Sequence, residues 1–336
     1  MKGILFKGRK LILPFFALGI VLFLILNLSF GSVHIPFHEV LLSLIGKKIE
    51  SVNETIILNI RLPRVLVGFL AGASLSVVGC AFQGFLKNPL ADPYILGISS
   101  GGAFGAVLAI ALQQFVGWKW FSNMETMSFL FALLSTMITY FIANNKGKLP
   151  ITQLILSGVI VNLIFSSATT FVIVFYWRNI ANSTFWLMGS LSGVFWDDAI
   201  RLMISSAVGI SILMFFSENL NAMSLGEEEA MYLGVNVERF KLLNFVLGSF
   251  LTSVIVSTIG IVGFVGLVVP HIARLLFGAN HKISIPSSAL IGGIFLVTCD
   301  SIARSLFQPT EMPIGIITSF IGAPVFIFIL KWRLRS

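Results

Sequence analysis

The chain has 336 residues, of which 57% are hydrophobic and only 11% charged, with a mean hydropathy of +0.97. Soluble domains carry roughly 25% charged residues, so most of this surface must face lipid rather than water. The net charge of +8 would suit nucleic acid if it clustered on a soluble face, but the basic residues fall between apolar blocks, which excludes that reading.

A spanning helix needs about 20 mostly apolar residues, and a mid-membrane charge is costly, so charges gather at span ends. Ten spans are predicted, over about 11–30, 64–85, 94–113, 126–144, 150–173, 197–217, 241–258, 262–277, 285–305 and 313–331. The first follows four basic residues without a small-x-small cleavage site, so it reads as an uncleaved span rather than a signal peptide. The segment from Gly31 to Leu62 then holds Pro36, which starts a short amphipathic helix at the membrane interface. His34, His38 and Glu39 lie close together there and read as solvated side chains before they read as metal ligands.

Cys80 and Cys299 fall in separate spans and read as small buried hydrophobes. Glycines at four-residue spacing, Gly68/Gly72, Gly97/Gly101/Gly105 and Gly189/Gly193, allow helices to approach closely within one subunit. Leu149–Trp177 is long for one span, which tilt absorbs. The stretch from Arg178 to Asp198, with Trp186 and Trp196, suits a short interfacial or re-entrant helix.

Residues 218–238 form the one strongly acidic stretch. Within it Met223–Gly234 is predicted as a short helix stopped by Gly234. Its charge favours a solvated loop helix, whereas Leu225, Met231, Tyr232 and Leu233 would expose an apolar patch of the kind that docks a partner. Both readings stay open on composition.

Leu242–Ala273 exceeds one span and contains Gly260, Gly263, Gly266 and Pro270, so two spans are expected to meet near Ser257–Gly263 in a turn at the outer surface. Asp300 and Arg304 have the i,i+4 spacing of an ion pair on a helix surface. With both termini cytoplasmic, 14 of the 22 basic residues lie inside, the sign of the positive-inside rule.

Chemistry is mostly absent. The Gly-Lys pairs at Gly46 and Gly147 lack the first glycine of a phosphate loop, and no nucleophile elbow or zinc motif occurs. Span interiors hold almost no ionisable residue, whereas carriers driven by protons or sodium usually place one there. A secondary transporter and a membrane-embedded enzyme are therefore the weaker alternatives, and an energy source in another subunit is the economical one.

Five strings make the sequence specific. They are Arg61-Leu62-Pro63-Arg64; Gln83 to Pro93 with Leu96 to Gly101; Leu225-Gly226-Glu227; Gly263 to Arg274; and Pro313-Ile314-Gly315 with Gly322-Ala323-Pro324. In this order they resemble the permeases of the iron-siderophore, haem and cobalamin class of ATP-driven importers (FecCD-type, type II importers), over essentially the whole chain.

The resemblance implies an all-α, ten-span permease in one domain, residues 1–336, in the cell membrane. It implies a second permease subunit, two ATPase subunits that bind ATP and Mg, an extracytoplasmic binding protein, and no cofactor, catalytic residue or nucleic acid for this chain. The cargo it implies is a metal chelate, ferric siderophore first and cobalamin or haem next. By the same resemblance, Leu225, Gly226, Glu227, Met231, Leu233 and Gly234 couple to the ATPase. Arg61, Arg64 and Arg304 receive the binding protein, and Asn88, Leu90, Ile151 and Thr152 form a cytoplasmic gate.

Overall fold

The computed structural model describes residues 9–31, 33, 35–47, 51–116, 123–180, 184–306 and 310–335, and among these the only bridge partners are Asn145 and Lys148. The helices are α1 (Arg9–Ser29), α2 (Phe37–Leu44), α3 (Ser51–Thr55), α4 (Leu62–Phe85), α5 (Ile98–Val116), α6 (Met124–Ala143) and α7 (Ile151–Ile180). They continue with α8 (Thr184–Leu187), α9 (Trp196–Phe215), α10 (Ser217–Leu225), α11 (Glu227–Tyr232), α12 (Val237–Ile259), α13 (Val265–Phe277), α14 (His281–Ser305) and α15 (Ile314–Arg335). Among the described residues, six helical stretches are long and apolar enough to cross a membrane. Shorter apolar stretches at Gly19–Ser29, Ile98–Gln113, Val265–Phe277 and Ile314–Ile329 coincide with the other four expected spans.

The centre of the bundle is α4. It is apolar all round, which suits a helix surrounded by others, and its small residues let backbones touch. A Cβ on Gly72 would sit 2.2 Å from the Gly292 carbonyl oxygen of α14, and one on Gly79 would sit 1.9 Å from that of Gly266 in α13. The glycine spacing thus serves packing within the chain; Gly101 and Gly105 do the same against α6 at Phe131 and Met127. Gly189 and Gly193 differ from that expectation: both have positive φ, 79° and 82°, and lie outside any helix.

Just before α4, residues Ile56–Arg61 form a π-helical stretch, closed by Leu62 N–H donating to the Ile57 carbonyl. Pro63 follows, and its ring would clash with the carbonyl four residues back in an ordinary α-helix. The wider π register relieves that crowding. The expected interfacial helix is α2, with Pro36 at its N-cap. His34 lies outside the described residues, and Glu39 accepts a 2.8 Å bond from Asn53.

The eighth span departs from expectation. Helix α13 has 13 residues, about 20 Å at 1.5 Å per residue, against a hydrocarbon core of about 30 Å. Gly260–Phe264 is non-helical, within the stretch where a turn was expected. Val262 is 1% exposed, and the Tyr94 hydroxyl both donates to its carbonyl and accepts from its N–H, each at 3.2 Å. Irregular backbone at membrane depth persists only where protein satisfies it in this way. Gly260 has φ 73° and opens the segment; Phe264, at φ 68°, closes it in the left-handed region.

Pro270 inside α13 leaves the Gly266 carbonyl without its helical donor. The Gln83 side chain supplies one at 3.3 Å, and the same amide donates to Leu267 O at 3.1 Å and Ala91 O at 3.2 Å. Gln83→Leu strands a buried carbonyl, a change expected to cost about 2 kcal/mol. Thermal unfolding of the purified chain in detergent checks it: an unchanged midpoint would mean the Gly266 oxygen needs no partner.

Candidate functional site

Two sets of side chains share one end of the bundle. The acidic segment is a pair of helices, α10 and α11, broken at Gly226, where one continuous helix was expected. Gly226 has extended backbone, φ 164° and ψ 157°, and a Cβ there would meet the Glu229 carboxylate. The acids Glu227, Glu228 and Glu229 fill the first turn of α11, where negative charge favours the helix N-terminus. Gly234, at φ 84°, ends the element as expected.

The faces of this helix pair divide cleanly. Leu220, Met223 and Ala230 are fully buried and belong to the central apolar cluster with Phe82, Phe85 and Leu149. Leu225, Met231, Tyr232 and Leu233 are 70%, 55%, 91% and 65% exposed. Four large apolar side chains thus stand out beside three carboxylates. Such an exposed apolar face is what the docking reading expects.

The expected gate residues sit beside this platform. After α4, Lys87 adopts the left-handed conformation at φ 48° and turns the chain. The Asn88 side chain accepts from the Leu90 N–H at 2.9 Å, closing an Asx turn that leaves Leu90 49% exposed. Asp92 caps the following 3₁₀ turn by accepting from Tyr94 N–H at 2.8 Å, and burial pushes its carboxyl up to about 6 against that bond. Ile151 and Thr152 start α7; Ile151 packs on the same cluster as Leu86, Ala91 and Leu149, and Thr152 is exposed.

Lys241, the first residue of the predicted span 241–258, was given no role of its own in the sequence reading. It is 2% exposed and bonds Glu227, Glu238 and the Leu149 carbonyl. Glu238 at i−3 was the one signal available in the sequence. Arg274, in the last turn of α13, bonds His271 at 2.9 Å and also reaches Gln83.

At the opposite end, the three outer arginines are buried within the chain. Arg61, Arg64 and Arg304 are 4%, 8% and 4% exposed. The last carbonyls of α1 have no helical donors of their own, and two of the arginines supply them. Arg61 donates to Leu28 O at 2.6 Å and also to Val33 O, while Arg304 donates to Phe30 O at 2.9 Å and Asn27 O at 3.4 Å. Arg64 holds Asp300 at 2.8 Å and Glu311 at 2.9 Å. These guanidiniums tie the π-helical stretch, α1, α4 and α14 together within the chain. Asp300 and Arg304, expected as a surface pair, are 3% and 4% exposed at the side chain.

Among the described residues, ten apolar helical stretches, a non-helical segment before α13, and an acidic helix pair with an apolar outer face make one combination. The profile of the FecCD transport family matches residues 19–332. The chain belongs to the FecCD transport family. It is 42% identical, over 83% of its length and 74% of the relative's, to a cobalamin import system permease protein of Halobacterium salinarum. It is 35% identical to the hemin transport system permease protein of Yersinia pestis, covering 94% and 96% of the two chains. A Bacillus subtilis Fe(3+)-citrate import system permease protein shares 34% identity, with 95% of each chain covered. Among solved structures, one described as an inward-facing conformation of a metal-chelate type ABC transporter superposes with a TM-score of 0.84. That match has 31% identity and covers 96% of this chain and 99% of the other. The fold is that of a type II ABC importer permease, and the chain is a multi-pass membrane permease of this importer family.

Proposed function

We propose that this chain is the membrane-spanning half of a ferric-siderophore importer in the cell membrane, with both termini cytoplasmic. It pairs with a second permease subunit, and two ATPase subunits bind ATP and Mg on its behalf. The exposed group Leu225, Met231, Tyr232 and Leu233 carries the reading. An apolar patch rimmed by charge is a docking surface, and its inner face packs into the cluster that also holds Leu86 and Leu149 beside the expected gate. Movement imposed on the patch therefore reaches Asn88, Leu90, Ile151 and Thr152 through packed side chains.

Span interiors with few charges suit a path that binds cargo weakly, leaving selection to an extracytoplasmic binding protein. Cobalamin is the second reading, favoured by the 42% identical relative from Halobacterium. The test isolates the tagged chain from its own membranes and reconstitutes the complex with its binding protein in vesicles. An ATPase should co-purify, and labelled siderophore should accumulate only with ATP. Accumulation of cobalamin in place of siderophore would select the second reading; uptake without ATP would reject both.

A further inference from the structure

Lys241 lies in the first turns of α12, and its ammonium donates to Glu227 Oε2 at 2.7 Å, Glu238 Oε1 at 3.3 Å and Leu149 O at 3.3 Å. An ammonium has three N–H donors, so all are used. Glu238 accepts from the Leu149 N–H at 2.7 Å. Both backbone polar groups of Leu149 are thus gripped from α12, and Leu149 itself is 3% exposed. Pro150 follows with its φ fixed, and its carbonyl accepts from Leu154 N–H at 2.9 Å in the first turn of α7. At the other end of the bridge, Glu227 is the first residue of α11.

We infer that Lys241 is the positioning residue that passes displacement of α11 to the start of α7, through one continuous chain: Glu227 carboxylate, Lys241 ammonium, Leu149 peptide, Pro150. The inference rests on the docking role of α10–α11 proposed above. Its physical basis is burial. A buried ammonium stripped of a carboxylate is strongly unfavourable, so Lys241 follows Glu227 when α11 moves, and Leu149 follows Lys241. The nearby Lys282–Glu218 pair differs, since its side chains are 56% and 72% exposed and water screens such a pair.

The test uses the full complex with its ATPase in proteoliposomes and reads cargo moved per ATP hydrolysed. A second readout is labelling of the thiol introduced by Thr152→Cys, followed with and without ATP; the native Cys80 and Cys299 are buried. Lys241→Met and Glu227→Ala should each lower cargo moved per ATP by about tenfold, within the usual span of coupling free energies. Each should also remove the ATP-dependent change in labelling, and Lys241→Arg should restore most of both. If Lys241→Met fails to assemble, Glu227→Ala decides in complexes that still bind the ATPase, because its side chain is one-third exposed and Glu238 remains as a carboxylate for Lys241. Wild-type transport per ATP and wild-type labelling change in an assembled variant would overturn the inference. Failure of the docking role itself would show separately, as a wild-type chain that binds no ATPase.

Discussion

Leu225→Asp with Leu233→Asp is expected to release the ATPase that the proposed function places on this face. Burying a leucine side chain against a partner is worth about 1.5–3 kcal/mol, so loss of two removes roughly 3–6 kcal/mol, beyond a hundredfold in affinity. The new carboxylates also join Glu227, Glu228 and Glu229 and add like charge at the contact. Because Leu225 and Leu233 are 70% and 65% exposed, the permease alone should unfold at an unchanged temperature. Co-purification of the ATPase with the tagged double variant, quantified against wild type, is the measurement. Full recovery of the complex would return α10–α11 to the status of a solvated loop.

Asp300→Asn has the opposite signature, a large loss of stability. Asp300 sits between two guanidiniums, 2.8 Å from Arg64 and 3.2 Å from Arg304, and its side chain is 3% exposed. Neutralising it leaves two buried cations with Glu311, a carboxylate 35% exposed. Removing one partner of a buried ion pair costs about 3–5 kcal/mol. Thermal unfolding in detergent should show a lower midpoint for Asp300→Asn, whereas Glu311→Gln should shift it little. Equal midpoints for wild type and Asp300→Asn would show that Arg64 and Arg304 are solvated in the folded protein.

Much of the fold was legible because the bilayer imposes a one-dimensional rule. Apolar length and charge position set where spans begin and end, and the predicted 126–144 and 285–305 fall on α6 and α14. The candidate coupling segment came from the resemblance; composition left Leu225 and Leu233 beside Glu227–Glu229 open between a solvated loop and a docking face. Gly260–Phe264 was not legible. Its buried backbone is satisfied because Tyr94, 168 residues away in sequence, lends a hydroxyl to Val262. Nothing local signals such a donor.

Charge is where sequence and tertiary structure divide. The sequence alone pointed to a chain that crosses the membrane several times, because desolvation acts on each residue according to its own chemistry. Only the tertiary structure decided which charges are buried and what they hold. Arg61 and Arg304 cap α1, Arg64 pairs with Asp300, and Lys241 joins Glu227 to Leu149. Partners up to 277 residues apart meet there, and burial of an ion is settled by the partner that three-dimensional packing delivers.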